Sequence, residues 1–447
     1  MTGATLLVDV LTAIMIFFLA VNSFHAVLIC CSIGELWSHW QLAEDDYFRT
    51  LLGTEALSPV SVLLTTYNQR DEVMRTIHSM LDLDYPRYEV VVVDDGSSDG
   101  TLDALVNAFD MTLVSPAFMV SVRTEPVRGY YRSRTHPRLL VIDKGRGGQA
   151  DALNAGLNAA RFPYVLIASG TILLERDALL RLMRPFLLNR SVSAVGGGMR
   201  ITDGTVDERG RRIAVVPSGT SSGVRMVEYL RTFVFQRLGW NHIASNLMFP
   251  DRAVLIRREQ LLAVGGFRTD TPTPGTDIIV RLQQHLTNAG INPLFLALPD
   301  LVAWSTSPDD MVLRGEKRTE RQIGLLRVLR AHRRMCFNPE QGAFGMIALP
   351  YYWIAWVIAP PIELLGYVGI ILGGVMGVLP PGFLWAYAAA VLGYGVLLSV
   401  WVVLLEASTV HRYARLSDFA RLLMYAVAEP LGRRQSIAWF RTRAFFS

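Results

Sequence analysis

The sequence predicts an α/β domain with a parallel sheet, flanked by membrane-spanning segments. Three observations support this prediction. Short apolar runs alternate with helical patterns through the middle of the chain, as in βαβ units. Long apolar tracts lie on both sides of this region. The strand-like runs end in polar residues, and ligands of parallel sheets bind at the carboxyl ends of the strands.

The composition agrees with a protein that is partly embedded in a membrane. Of its 447 residues, 51% are hydrophobic and 18% are charged, which is unusually apolar for a soluble enzyme. The formal net charge is +4 and no concentrated basic face is evident, so we expect no nucleic-acid partner. The three cysteines lack the spacing of zinc sites or disulfide frameworks, which predicts a domain in a reducing, cytosol-facing environment.

Three apolar tracts are long enough to cross a bilayer. The first runs from Val10 to Ile33, and the other two are residues 346–379 and 383–405, with a tight turn predicted at Pro380–Gly382 between them. Basic residues on both sides of this hairpin place its flanks in the cytoplasm and the turn outside. These basic residues are Arg330, Arg333, Arg334, His411, Arg412 and Arg415.

These signals divide the chain into four segments. Residues 1–36 contain an N-terminal transmembrane helix, and residues 58–332 form the α/β domain. Residues 346–406 form a transmembrane hairpin with an interfacial start, in which Glu363 marks either a polar path or an interfacial position. Residues 407–447 alternate arginines with apolar residues, which predicts amphipathic cytoplasmic helices. We therefore expect a multi-pass protein of the inner (cytoplasmic) membrane with its large domain in the cytoplasm.

Four buried runs predict parallel strands, with helices after them. The strands are residues 61–67, 89–95, 138–143 and 164–169, and the helices are residues 71–81, 101–109, 149–160 and 175–188. Thr65 and Tyr67 end the first strand, and Asp94 and Asp95 end the second. A carboxylate at a strand end suits hydrogen bonding to a base or a ribose hydroxyl. The alternative is that residues 94–99 are only turn and helix-cap residues.

Several segments, taken in order, resemble the membrane-bound, processive and inverting glycosyltransferases of family 2. They are residues 144–157, 175–186, 194–201, 228–240, 255–267 and 327–339. The first reads KGRGGQADALNAGL and resembles the family's Lys-x-Asn-Gly-Gly-Lys-x-x-Ala-Leu-Asn. The resemblance implies a Rossmann-like GT-A domain that binds a nucleotide-sugar. It also implies that Thr65, Tyr67 and Asp95 contact the nucleoside, and that Lys144 and the turn of Gly147 and Gly148 lie near the nucleotide.

The sequence departs from this family pattern at the reaction centre. The family's Asp-x-Asp, whose carboxylates hold a divalent cation on the leaving diphosphate, reads Ser169-Gly170-Thr171. Its Gly-Glu-Asp reads Gly275-Thr276-Asp277, and its Thr-Glu reads Ser305-Thr306. In the Gln-x-x-Arg-Trp element, Arg321 stands where the acceptor-site tryptophan is expected. Because Mg²⁺ and Mn²⁺ prefer anionic oxygen ligands, we expect no metal site and no cofactor.

Asp277 and Arg321 are the candidate catalytic residues. Asp277 matches the family's general base, which takes a proton from the acceptor hydroxyl. Its alternative role is that of an N-cap for the helix predicted at residues 278–286. If the chain is active without a metal, Arg321 or Arg318 can meet the charge of the leaving diphosphate.

Three functions are open at this stage. The changes at the reaction centre favour a non-catalytic or redirected paralogue that acts with an active synthase subunit in cell-surface glycan or exopolysaccharide synthesis. The alternative is an active, inverting glycosyltransferase that moves a sugar from a nucleotide-sugar of the uridine diphosphate type to a glycan or lipid acceptor. Mg²⁺ or Mn²⁺ is expected only in that case. A membrane scaffold or transporter component that binds no nucleotide is disfavoured by Thr65, Tyr67 and Asp95.

Overall fold

The computed structural model describes eight stretches of the chain: residues 3–43, 57–115, 120–202, 212–243, 246–247, 253–305, 315–409 and 416–446. Thr306, His411, Arg412 and Arg415 lie outside these residues. The chain divides into two compact units, each assembled from separate stretches of sequence. The sheet unit comprises residues 38–200 and 245–306, and the helical unit comprises residues 1–37, 201–244 and 307–447.

The secondary structure within the described residues consists of ten strands, thirteen longer helices and three short 3₁₀-helices, Leu238–Asn241, Arg333–Met335 and Pro339–Gln341. The strands are β1 (Val60–Thr66), β2 (Tyr88–Asp94), β3 (Met111–Val114), β4 (Val127–Ser133), β5 (Leu139–Lys144), β6 (Tyr164–Ser169), β7 (Ile172–Leu174), β8 (Val192–Ile201), β9 (Val254–Arg257) and β10 (Leu294–Ser305). The helices are α1 (Gly3–Ala43), α2 (Arg70–Leu81), α3 (Thr101–Ala108), α4 (Gln149–Ala159), α5 (Ala178–Leu188), α6 (Thr220–Gln236), α7 (Arg258–Ala263), α8 (Pro274–Asn288), α9 (Gly315–Ala331), α10 (Phe344–Val375), α11 (Pro381–Ser408), α12 (Leu416–Ala428) and α13 (Arg433–Arg443).

The strands form one mixed sheet in the spatial order β3-β4-β5-β2-β1-β6-β9-β8-β10-β7. The predicted parallel sheet is confirmed at its centre, where β5, β2, β1 and β6 are parallel neighbours. The neighbouring strands β4 and β9, which are not among the predicted strands, pair antiparallel with β5 and β6. The central strands are continuous buried apolar runs, which a sequence pattern reveals. The outer strands β4 and β8 carry glycine and arginine and give no such signal.

Helix α4 packs its apolar side on the centre of the sheet. Ala152 and Leu157 share one buried core with Leu63 of β1 and Val91 of β2. Every residue of β2 is buried, so the sheet is covered on both faces. Helix α5 begins at Ala178, three residues later than predicted. The preceding residues continue the sheet instead, because the Glu175 N–H donates to the Val302 carbonyl.

In the part of the chain that the structure describes, three helical segments are long and apolar enough to cross a membrane. They are Thr5–Trp37 within α1, together with α10 and α11, as the sequence predicts. Helix α10 contains wide π-helical turns at Phe344–Ala348 and Trp353–Ile358, and α11 contains another at Ala389–Gly393. Such turns are rare and often occur at functional positions.

The C-terminal helices α12 and α13 belong to the helical unit. Arg434 of α13 donates to Glu363 of α10 at 2.6 Å, and the hydroxyl of Tyr367 donates to the same carboxylate at 2.8 Å. The charge of Glu363 is therefore balanced by Arg434 within the unit, which explains how an apolar helix can carry a carboxylate.

Candidate functional site

The predicted nucleoside-contacting residues lie at the carboxyl ends of adjacent strands in the sheet unit. Thr65 of β1 is the register partner of Ser169 on β6. Thr66 is paired with Asp94 on β2, and Asp94 is paired with Asp143 on β5. These pairings bring the ends of all four parallel strands to one edge, where ligands of such sheets bind. We call this edge the strand-end site.

Hydrogen bonds join the two loops that follow β1 and β2. Asn68 adopts a φ of 50°, which asparagine tolerates better than most residues. Its backbone N–H donates to Ser97 Oγ at 2.9 Å, and its side-chain oxygen accepts from the Ser98 N–H at 2.8 Å. The Arg70 N–H donates to Asp99 at 3.2 Å. The two loops therefore form one ordered rim of the site.

Asp94 and Asp99 serve the local structure of this rim. Asp99 accepts from the Thr101 N–H at 3.0 Å at the start of α3, so the turn-and-cap interpretation is confirmed for this residue. Asp94 accepts a hydrogen bond from the Ser97 hydroxyl. Burial raises the pKa of Asp94 above its usual value, and the bond from Ser97 opposes this rise.

Asp95 is engaged within the protein through both carboxylate oxygens. Oδ1 accepts from Lys144 Nζ at 2.8 Å and from the Gly147 N–H at 2.9 Å, and Oδ2 accepts from the Gly148 N–H at 2.8 Å. Gly148 has a φ of 86°, which favours glycine. Asp95 therefore fixes the turn that precedes α4, and its predicted contact with a nucleoside stays a prediction.

Lys144 is buried beneath the same turn. Its Nζ lies 2.8 Å from Asp95 Oδ1, 2.5 Å from Asp151 Oδ2 and 2.5 Å from the Gly145 carbonyl oxygen. These three acceptors match the three donors of an ammonium group. In this arrangement Lys144 stabilises the turn, so a direct contact of Lys144 with the nucleotide also stays a prediction.

Tyr67 carries an arginine on its ring. The guanidinium carbon of Arg146 lies 4.1 Å from the ring centroid, and Arg146 Nη1 lies 2.5 Å from the Tyr67 hydroxyl. Sequence reasoning missed Arg146, although it stands between Gly145 and Gly147 of the KGRGG segment. The contact joins residues of two different loops, so no local pattern predicts it. It adds a positive charge and a flat surface to the strand-end site.

Ser169 and Thr171 occupy the positions of the family's Asp-x-Asp. Their hydroxyl oxygens lie 3.2 Å apart and bond to each other. Two neutral hydroxyls supply no charge to offset the dehydration of a divalent cation. Within the described residues, His, Cys, Asp and Glu form no group of three that could hold a metal ion. The residues present therefore do not fit the cation that the family pattern implies.

Asp277 lies inside helix α8, so its interpretation as an N-cap is wrong. The helix begins at Pro274, with Thr273 as the preceding cap residue. Proline is favoured in the first turn because its missing N–H would have no helical partner there. The Asp277 side chain is 3% exposed, and its Oδ2 accepts from Arg281 Nε at 2.7 Å.

Arg281 connects Asp277 to the turn before α8. It donates to the carbonyl oxygens of Val264 at 2.6 Å and Gly266 at 2.7 Å. The next residue, Phe267, is bound through both backbone groups by the Asn154 amide of α4, at 2.8 Å each. Helix α4 therefore supports both the turn at Asp95 and the turn that holds Asp277 in place.

Arg321 belongs to the helical unit and lies on α9. One turn earlier on the same helix, Arg318 pairs with Glu228 at 2.7 Å. Arg318 is thus already engaged by a carboxylate, and the catalytic role of Arg321 stays a prediction.

Comparison with known proteins supports a glycosyltransferase assignment. Residues 61–262 match the family described as glycosyl transferase family 2. A poly-β-1,6-N-acetyl-D-glucosamine synthase of Staphylococcus epidermidis is 26% identical over 172 residues, which are 38% of this chain and 36% of the relative. A synthase of the same name from Staphylococcus aureus is 24% identical over 151 residues, which are 34% of this chain and 31% of the relative. The chain thus spans about a third of the length of these relatives.

A solved structure shows the same fold. The mannosyltransferase PcManGT from Pyrobaculum calidifontis, in complex with GDP-Man and Mn²⁺, superposes with a TM-score of 0.51 at 19% identity and covers 92% of this chain and 98% of its own. Residues 61–262 therefore match a glycosyltransferase family 2 domain, and the fold is a GT-A-like α/β fold. Over about a third of its length the chain is similar to poly-β-1,6-N-acetyl-D-glucosamine synthases, and its described residues include three candidate membrane-spanning helices, one near the N-terminus and two towards the C-terminus.

Proposed function

We propose that this protein binds a nucleotide-sugar of the uridine diphosphate type at the strand-end site without a divalent cation. In this proposal it acts in cell-surface glycan or exopolysaccharide synthesis as a non-catalytic or redirected partner of an active synthase subunit. The observation that carries the proposal is the Ser169–Thr171 pair, whose neutral hydroxyls bond to each other at 3.2 Å where the family has two carboxylates.

Nucleotide binding is supported by the chemistry of the strand-end site. Tyr67 offers an aromatic ring for stacking with a base. Arg146 provides a guanidinium group, which matches the geometry of phosphate oxygens. Asp95 holds the glycine turn beside them in a fixed conformation. The domain therefore keeps surfaces suited to a nucleoside and to phosphate while its metal-binding carboxylates are replaced.

Action in glycan synthesis at the inner membrane is supported by the helical unit and by the relatives, whereas the proposed second subunit rests on the replaced carboxylates at Ser169 and Thr171. The three candidate spans supply a membrane anchor, and the named relatives synthesise poly-β-1,6-N-acetyl-D-glucosamine. The proposal places the sheet unit in the cytoplasm, where nucleotide-sugars are available, and leaves a glycan or a lipid as the acceptor of the complex.

Calorimetric titration of the detergent-purified chain with uridine diphosphate tests the binding proposal. We expect the same dissociation constant without metal, with Mg²⁺ and with Mn²⁺, because Ser169 and Thr171 carry no charge. The variant with Ser169→Asp and Thr171→Asp is the matched control, and its binding should become metal-dependent. Strong metal-dependent sugar transfer by the unmodified single chain would contradict the proposal.

The alternative proposal is an active, inverting glycosyltransferase. It is supported by Asp277, which keeps the family's carboxylate and is held in one orientation by Arg281 at 2.7 Å. In that case a cation such as Arg321 must meet the charge of the leaving diphosphate. Asp277→Asn and Arg321→Ala should each abolish turnover if the chain is active. Both should leave glycan output in cells unchanged if it is a non-catalytic partner.

A further inference from the structure

Two arginines in the helical unit share a single carboxylate. Arg318 of α9 lies 2.7 Å from Glu228 Oε1, and Arg433 of α13 lies 3.0 Å from Glu228 Oε2. Glu228 lies on α6, and all three side chains are at least three-quarters buried. One negative charge therefore faces two positive charges where three helices meet.

A third arginine, Arg441 of α13, adds to this positive charge. Its guanidinium carbon lies 4.0 Å from the ring centroid of Trp356 on α10. The neighbouring Phe440 carbonyl accepts from Thr319 Oγ1 at 3.1 Å, which fixes Arg441 close to Arg318. In the described part of the helical unit, no carboxylate forms an ion pair with Arg441. Burial, and then repulsion by Arg318, lower the pKa of Arg441 to about 10.

An unsatisfied donor occurs in the same group of residues. The Nη2 atom of Arg433 is buried, and no hydrogen-bond acceptor in the described structure reaches it. A buried donor without an acceptor destabilises the folded state, and the cost is larger when the group is charged. The group made by Arg318, Arg433 and Arg441, here called the arginine cluster, thus has both surplus charge and unused hydrogen-bonding capacity.

Two other arginines of the unit have their own carboxylates. Arg231 lies 2.7 Å from Glu429, and Arg434 lies 2.6 Å from Glu363. The arginine cluster differs from these two pairs. Among the described residues, Glu228 is the carboxylate that forms ion pairs with its arginines, which leaves an excess of two positive charges, three arginines against one glutamate.

We propose that the arginine cluster binds a phosphate or diphosphate group presented at the membrane interface. A phosphate monoester carries about −1.5 to −2 charges at neutral pH, which matches the excess. The guanidinium fork binds phosphate oxygens in pairs, so the unused Nη2 of Arg433 gains an acceptor. The unit contains the candidate membrane spans, so a phosphate-bearing lipid head group is the favoured source. This proposal concerns the helical unit and does not rest on nucleotide binding by the sheet unit.

Calorimetry with inorganic pyrophosphate tests the chemistry of the cluster. The full chain in a neutral detergent is compared with the Arg433→Ala, Arg441→Ala double variant and with Arg443→Ala, an exposed arginine on the same helix. We expect the double variant to bind roughly tenfold or more weakly, since charge-assisted bonds are lost, and the Arg443→Ala control to bind as the unmodified chain does. The Arg146→Ala variant lacks the guanidinium group of the strand-end site, so any loss of pyrophosphate binding in this variant measures binding at that site.

A second arm identifies the source of the phosphate. Melting temperatures are measured in nanodiscs of phosphatidylcholine alone and of phosphatidylcholine with phosphatidic acid. A rise with phosphatidic acid that the double variant loses indicates a lipid, whereas pyrophosphate binding without this rise indicates a soluble phosphate. The Arg433→Lys, Arg441→Lys variant keeps the charge and should fold, with weaker binding than the unmodified chain. Equal behaviour of the unmodified chain and the variants with both probes overturns the proposal, as does the absence of binding to either.

Discussion

The strand-end site and the arginine cluster handle buried charge in opposite ways. At the strand-end site, Lys144 lies between two carboxylates, Asp95 and Asp151, and the surplus negative charge is met by the N–H groups of Gly147 and Gly148. In the arginine cluster, one carboxylate lies between two arginines, and a third arginine adds to the surplus.

The difference shows what separates a structural ion network from a candidate ligand site. In the network of Lys144, Asp95 and Asp151, backbone groups already meet the surplus charge, so this network leaves no capacity for a ligand. The proposed nucleotide contacts of the strand-end site are made by Tyr67 and Arg146 instead. A surplus beside an unused donor, as at Arg433, leaves capacity for a ligand of the opposite charge. The comparison therefore predicts stability effects at Lys144 and ligand-dependent effects at the arginine cluster.

The largest expected effect is that of Lys144→Ala on stability. Removing the ammonium leaves two buried carboxylates without a counter-charge, which costs about 3–5 kcal/mol in free energy of unfolding. Lys317→Ala changes the chain's other lysine, which is exposed on α9, and should alter stability by less than about 0.5 kcal/mol. Denaturant unfolding of the purified chain measures both, and equal losses would refute the structural role of Lys144.

Glu228→Gln should have a smaller effect that depends on the ligand. The change leaves Arg318 and Arg433 without their shared carboxylate, and we expect a loss of about 2–3 kcal/mol because both arginines keep some contact with solvent. Saturating pyrophosphate should restore part of this loss. Asp418→Asn, which breaks the more exposed pair with Arg421, should cost about 1 kcal/mol or less without any response to pyrophosphate.

Tyr67→Ala should weaken binding of uridine diphosphate by roughly tenfold. Stacking of a base on an aromatic ring contributes about 1–3 kcal/mol, and the alanine variant lacks the ring. Tyr67→Phe keeps the ring and loses the contact between its hydroxyl and Arg146, so its affinity should stay close to that of the unmodified chain. Calorimetric titration distinguishes the two, and an unchanged affinity in Tyr67→Ala would remove this residue from the proposed site.

The smallest expected effect is the pH dependence produced by Asp94. Burial raises its pKa in the folded state, so its ionised form opposes folding, and this cost disappears as the pH falls through the raised pKa. Asp94→Asn keeps an acceptor for Ser97 and should be slightly more stable than the unmodified chain at neutral pH. The difference should shrink in acid. Melting temperatures over an acid-to-neutral series measure it, and a difference that grows in acid would contradict this sign.

The centre of the fold was predictable because its signals are local. The strands β1, β2 and β6 are continuous buried runs, and α4 begins at the predicted Gln149 directly after a glycine turn. The antiparallel edge strands were not predictable in the same way, because β8 contains three consecutive glycines and β10 contains a proline. Their pairing depends on partners that are distant in sequence.

The site was predictable in position and less so in its contacts. Strand order brings Thr65, Asp95 and Ser169 to one edge, as the pattern of strand ends predicts. The pairing of Lys144 with Asp95 and the stacking of Arg146 on Tyr67 join separate loops, so they depend on tertiary structure. The start of α8 had a local signal in Pro274, which outweighs the capping preference of Asp277.

The wide turns of α10 determine how the part of the helix that follows them is rotated about its axis. Each added residue rotates the rest of an α-helix by about 100° about its axis. The turn at Trp353–Ile358 precedes Glu363 by little more than one helical turn, so it sets the direction in which that carboxylate points. Gln322 donates to the Trp356 carbonyl at 2.6 Å and satisfies a backbone group within the turn. Winding the same residues as a regular α-helix would turn Glu363 away from Arg434, with the amino-acid sequence of the helix unchanged.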